Sequence, residues 1–196
     1  MLLTRKTILF FICAGFAYGL ATGTVDVFNL GIIQLGMLPK YLGILYGVTS
    51  LVGAVLGLWV HKLKELTFKQ YAAFDLFTSL APFVAYGVFR SLPLAIASFI
   101  FNFCFWRYQQ IMYQHYVLKT YGTTKYKATI ISLISNFRSF HEIWLAILFT
   151  GLAKQIGMLP SIGYGAILPI LFLPVLLFSI SQFEAAAKAE LPSAAQ

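Results

Sequence analysis

The chain has 196 residues, of which 60% are hydrophobic and 10% charged, with a formal net charge of +8. A soluble domain carries about 25% charged residues, so this composition, with a mean hydropathy of +0.82, points to an integral membrane protein and away from a water-soluble globule. The basic excess does not mark a nucleic-acid partner, because Lys and Arg fall at the ends of apolar stretches and not on one face.

A spanning helix needs roughly 20 mostly apolar residues. Six stretches meet that: Thr7 to Leu30, Pro39 to Val60, Phe68 to Phe89, Leu92 to Val117, Ala128 to Ala153 and Pro160 to Gln182. The expected fold is all-α, a polytopic bundle over residues 1–183 with a polar cytoplasmic tail over 184–196. Arg5 and Lys6 precede a first apolar run that is long enough to span and is followed by further spans. It is therefore taken as a helix and not as a removed leader.

One side of the expected bundle holds Arg5, Lys6, Lys62, Lys64, Lys69, Lys119, Lys125 and Lys127, against Lys40, Arg90 and Lys154 on the other. That bias places both termini in the cytoplasm, in the cell (inner) membrane.

The first helix carries Gly15, Gly19 and Gly23, and the second Gly43 and Gly47, then Gly53 and Gly57. Small residues at this spacing let helix backbones approach closely in lipid; tight packing within one chain outweighs a dimer face. Asp26 and Asn29 share a face near the outer end, either to meet solute or a proton or to cap a broken helix end near Gly31. In the third helix, Asp75 is expected to pair with Lys62, Lys64 or Lys69 in a structural role. The sixth is uncharged, contains Pro169 and Pro174, and reads as lipid-facing. In the tail, Phe183 to Gln196, helix is favoured as far as Pro192.

Chemistry concentrates between Phe105 and Trp144. Ionisable groups in hydrocarbon are costly, so they face a bundle interior or a water-filled cavity and mark a pathway. Arg107, Gln110 and Gln114 form a donor-rich stripe on the fourth helix, beside Gln109 and His115. On the fifth, Arg138, His141 and Glu142 share a face, with Arg138 about 15 Å from the cytoplasmic end. Either Arg138 and Glu142 neutralise each other in the wall, or Arg138 holds an anionic or polar group while Glu142 or His141 takes a proton. Cys13 and Cys104 lie in apolar helices without disulfide spacing, and the three histidines lack metal-site spacing, so neither metal nor cofactor is expected.

The polar helices one, four and five and the bland sixth fit two triplets related as an inverted repeat. Lys125 to Phe137, KYKATIISLISNF, resembles the R-A-T-x-x-S-L-x-S pattern at the fifth helix of C-terminal halves of major facilitator superfamily transporters. Lys127, Ala128, Thr129, Ser132, Leu133 and Ser135 match, with Lys for the usual Arg. Leu42 to Leu63 resembles that superfamily's second helix running into its basic signature loop, where Gly57 and Lys62 fit, His61 stands for Asp and Lys64 for Gly. The resemblance covers residues 7–183 and implies half of a major facilitator fold, six transmembrane helices as a 3+3 inverted repeat. It further implies a secondary active transporter working by alternating access, as in a family often driven by protons, and the basic residues of the polar stretch suit a small polar or anionic solute. A complete path then needs a second half, as a homodimer or as an N-terminal half encoded elsewhere.

Two other classes stand against this. A non-transporting membrane scaffold or assembly protein would reuse the bundle with its polar groups tied up inside. An intramembrane enzyme is not expected, since neither G-x-S-x-G nor H-E-x-x-H occurs; His141-Glu142 is followed by Ile143, Trp144 and Leu145. The P-x-[DE]-x-x-[KR] signature of mitochondrial carriers is absent as well.

Overall fold

The computed structural model describes residues 5–121 and 127–190, all helix and short connections. Lys125 and the tail beyond Glu190, including Pro192, lie outside the described residues, as do the side chains of Lys6, Gln110 and Lys127. The described helices are α1 (Arg5–Gly23), α2 (Val25–Gln34), α3 (Leu42–Gly57), α4 (Val60–Leu63), α5 (Phe68–Val84), α6 (Leu92–Tyr121), α7 (Lys127–Ile156), α8 (Met158–Gly165) and α9 (Ile167–Glu190). A 3₁₀ turn, Pro39–Tyr41, leads into α3, and a π turn, Ala85–Phe89, closes α5.

Among the described residues the longer pieces are the rods α1–α2, α3, α5 with its π turn, α6, α7 and α8–α9, with the short α4 between α3 and α5. Four stretches are long and apolar enough to cross a membrane: Thr7–Gln34, Pro39–Gly57, Phe68–Phe89 and Met158–Ala187. The other two long helices, α6 and α7, are 30 residues each and carry the polar residues described above.

Local chemistry explains where the rods break. Thr24 Oγ1 donates to the Leu20 carbonyl at 2.6 Å, a back-bond that loosens the helix, and α1 gives way to α2 at this residue. Pro169 has no N–H to offer the carbonyl four residues back, at Gly165, where α8 ends. Pro82 likewise leaves the Thr78 carbonyl without its helix donor, and Asn102 Nδ2 of α6 supplies one at 3.2 Å. Thr67 and Gln70 form a capping box that starts α5. Gly157, at φ +87°, makes the turn between α7 and α8. α9 runs unbroken past residue 183, with Phe183 and Ala187 buried.

Packing follows a definite pattern. α1 lies along α7 and α9, α3 along α6, and α5 between α6 and α9; α1 also meets α6, while α2 and the π turn meet α8. Aromatic clusters fill the core at successive depths. Phe10, Phe68, Tyr116 and Phe183 interlock near one end, Phe16, His141, Trp144 and Phe172 in the middle, and Phe28, Phe83, Tyr86 and Phe149 near the other. Such ring pairs are worth about 1 kcal/mol each beyond area. In lipid this matters more than usual, because apolar burial alone does not drive helices together.

Candidate functional site

The glycine stripe of α1 receives α7. A Cβ built at Gly15 would stand 2.5 Å from Phe137 Cβ, one at Gly19 2.9 Å from His141 Cβ, and one at Gly23 3.0 Å from Glu142 Cα. Missing side chains on α1 thus bring the polar stretch of α7 within reach of α1's own polar atoms.

Arg138, His141 and Glu142 each find a partner there. Arg138 Nη1 donates to Tyr18 Oη at 3.0 Å, with the guanidinium 4.8 Å over the Tyr18 ring. Its Nε lies 3.3 Å from Glu142 Oε1, a charge contact without hydrogen-bond alignment. Glu142 Oε1 also accepts from Thr22 Oγ1. Trp144 Nε1 donates to His141 Nδ1 at 2.7 Å, and His141 Nε2 sits 3.2 Å from the Ile12 carbonyl. An indole only donates, so Nδ1 is the acceptor and Nε2 carries the proton it gives to Ile12. Both nitrogens of a neutral ring are therefore committed to the seam, and the ring is only 7% exposed.

A second group forms between α2, α3 and α6. Arg107 Nη2 donates to Ser50 Oγ at 2.8 Å, and its guanidinium stands 5.6 Å from the Phe103 ring. Phe103 meets Tyr46 edge-on. The Tyr46 hydroxyl exchanges hydrogen bonds with Asn29, 2.8 Å from Nδ2 and 3.2 Å from Oδ1. Arg107 is exposed and keeps further N–H donors available.

The first rod joins the two groups. Tyr18, Thr22, Asp26 and Asn29 follow one face of it, the first two serving Arg138 and Glu142 and the last serving Tyr46. Asp26, between them, is exposed, and among the described residues it makes no hydrogen bond or ion pair. Among the described residues Arg107 and Arg138 have different partners, so the structure arranges them as two neighbourhoods along one helix. Five surface cavities formed by described residues have none of Asp26, Asn29, Arg107, Gln114, Arg138, His141 or Glu142 in their walls.

The remaining expected positions are placed as follows. Gln114 is half-buried on α6, and Gln110 lies in the same helix with its side chain outside those described. Gly57 sits under the Tyr108 ring, whose hydroxyl donates to the Gly53 carbonyl at 2.6 Å. Lys62 is exposed on α4, so the expected signature loop is partly a helical turn. Cys13 and Cys104 are separate, buried thiols. Among the described residues no group of three His, Cys, Asp or Glu side chains could hold a metal ion.

Asp75 departs from expectation. Lys62, Lys64 and Lys69 are exposed, whereas Asp75 is buried with 4% exposure. Asp75 Oδ2 accepts from Gln109 Nε2 at 2.7 Å and from Tyr113 Oη at 3.1 Å, and Gln109 Nε2 also donates to the Ala17 carbonyl at 3.1 Å. The reason is helical phase: this face of α5 meets α6, while the lysines sit beyond or at the helix start. The sequence did hold a signal, since no base stands three or four residues from Asp75 while Gln109 and Tyr113 are four apart.

Comparison of the chain with protein-family models, with curated proteins and with solved structures returned no match.

Proposed function

We propose that this chain is one six-helix half of a secondary transporter of the major facilitator type, moving a small polar or anionic solute by alternating access in a cell membrane, with both termini cytoplasmic. The packing pattern is the observation that carries the reading. Exchanging the first three rods for the last three turns the contact of α1 with α7 into that of α6 with α3, and the contact of α1 with α9 into that of α6 with α5. The contacts of α5 with α9 and of α1 with α6 map onto themselves. The contact of α7 with α8, chain neighbours, has no counterpart of similar extent. An inverted 3+3 repeat has this exchange property.

In such a plan the first helix of each triplet lines the path. Here these are α1–α2 and α6, which carry Asp26, Asn29, Arg107 and Gln114. The second helices, α3 and α7, present apolar rows outward, Ile44, Val48 and Leu51 on one and Phe140, Ile143 and Ile147 on the other. Arg107, exposed and held among the described residues by the neutral Ser50 and the Phe103 ring, is the group best placed to hold an anionic solute. The complete path takes a second half, from another copy or a separate six-helix chain.

The test is solute uptake into liposomes carrying the chain with its second half, over a broad panel of anionic and polar solutes. Arg107→Gln at wild-type expression should abolish uptake of the active solute; retained uptake removes Arg107 from the path. The alternative, a membrane scaffold, draws on the seam, where Arg138, His141 and Glu142 are all tied to α1. It predicts a protein that copurifies stoichiometrically and no uptake of any solute.

A further inference from the structure

We propose that Asp75, with Gln109 and Tyr113, is a proton-binding site in the interior of the bundle. Asp75 lies about 10 Å along α5 from its start, enclosed by α1, α5 and α6. Its partners among the described residues are the neutral donors Gln109 and Tyr113, and no described Lys, Arg or His stands within ion-pair distance. The titratable groups around it are Tyr71 on its own helix, Tyr113 on α6 and, further off, Cys13 on α1, each ordinarily uncharged at neutral pH. Of the other helices on α5, α8 carries no Asp, Glu, Lys, Arg or His, and α9 buries Leu176, Ser179 and Ile180, its Glu184 lying with Thr67 and Phe68 at the start of α5.

Hydrogen-bond counting points the same way. Gln109 spends its amide nitrogen on Asp75 and Ala17, and its Oε1 is buried without a donor. An ionised carboxylate adds acceptors to a cluster already short of donors; a protonated one adds the missing donor. A carboxylate without a counter-charge in an apolar interior is costly, and two neutral hydrogen bonds offset only part of that cost. The step is simple: a proton from water joins a carboxylate oxygen of Asp75, no other bond changes, and Gln109 and Tyr113 stay as its partners. The seam acid is a poorer candidate, because Glu142 already faces the Arg138 guanidinium.

If the transporter reading holds, and this part rests on it, the site couples solute movement to protons. Gln109 ties Asp75 to the Ala17 carbonyl, so both path-lining rods sense its charge.

The proton itself is the probe. Infrared spectra of the purified chain in lipid nanodiscs at neutral pH should show the carbonyl stretch of a protonated carboxylic acid, absent from Asp75→Asn. Asparagine has the shape of the neutral acid, so that variant should unfold at the wild-type temperature. Tyr113→Phe removes a donor to the ionised form and should move the band's disappearance to higher pH. A missing band, a band that persists in Asp75→Asn, or a titration unmoved in Tyr113→Phe overturns the proposal. Proteoliposomes with the second half then test coupling: accumulation driven by a proton gradient should be lost in Asp75→Asn. The infrared result decides the proton site whether or not any solute moves, so a chain that transports nothing overturns the transporter reading alone.

Discussion

The first rod and α3 both carry glycines at four-residue spacing, yet in an apolar run of 18 residues from each, 67% of the residues are buried in the first rod and 17% in the stretch of α3. On α1, Gly15, Gly19 and Gly23 press against the α7 backbone and side chains. On α3, Gly43 and Gly47 have nothing within 4 Å of the place a Cβ would take, and only the later Gly53 and Gly57 meet α6. Spacing therefore marks a surface that permits close approach; it does not say whether anything approaches. What separates the two is the opposite helix. α7 brings Arg138, His141 and Glu142 to polar atoms on α1, and these contacts hold the seam once the glycines allow it.

The largest break in that comparison should come from Gly15→Leu. Its side chain has to displace Phe137, and overpacking of this kind costs about 3 kcal/mol. Thermal unfolding in detergent should show a large fall in melting temperature; an unchanged transition would mean α1 and α7 are not in contact here. Next is Glu142→Ala, which strips Arg138 of its counter-charge and takes from Thr22 one acceptor, leaving it the Tyr18 and Gly19 carbonyls. With both side chains of the pair more than a quarter exposed, the loss should be about 1 to 2 kcal/mol. Glu142→Gln, which can still accept from Thr22, should lose less.

His141→Phe keeps an aromatic ring, a larger one, and leaves Trp144 Nε1 without its acceptor, for about 1 kcal/mol or more. If His141 instead served protons and not the seam, this variant would keep its melting temperature and change only a pH profile. At the small end, Gly47→Ala meets no neighbour and gains helix propensity, so stability should rise by roughly 0.5 to 1 kcal/mol. A fall in stability, or a changed oligomeric size on gel filtration, would reveal a partner on the open face of α3.

Much of the fold could be read from one dimension. The expected third span, Phe68 to Phe89, coincides with α5 and its π turn, because a capping box and a turn bound a single apolar run. The Arg138–Glu142 pair was visible as a four-residue spacing on one helix. Contacts between distant segments were not. Asp75 and Gln109 lie 34 positions apart, and nothing local says which face of α5 turns toward α6. For the same reason the sequence did not show that Arg107 and Arg138 sit in separate neighbourhoods: their positions along the rods were legible, their rotation about the rod axes was not. The break at Thr24 depends on one hydroxyl turning back to Leu20, a choice that composition does not record.

The π turn after Pro82 sets the angular phase of everything that follows it. One additional residue is wound into the turn between Ala85 and Phe89, and it presents Gly87 to Gly163, where a Cβ on either would run into the other's backbone. Deleting a single residue there would restore ordinary winding and swing the following backbone by about 100°. Gly87 would then face away from α8, and Arg90, left-handed at φ 48°, would lose the Gly87 carbonyl that its Nε now reaches at 3.3 Å. This corner should therefore tolerate many exchanges of side chain at Val88 and Phe89, both exposed, and no change in length.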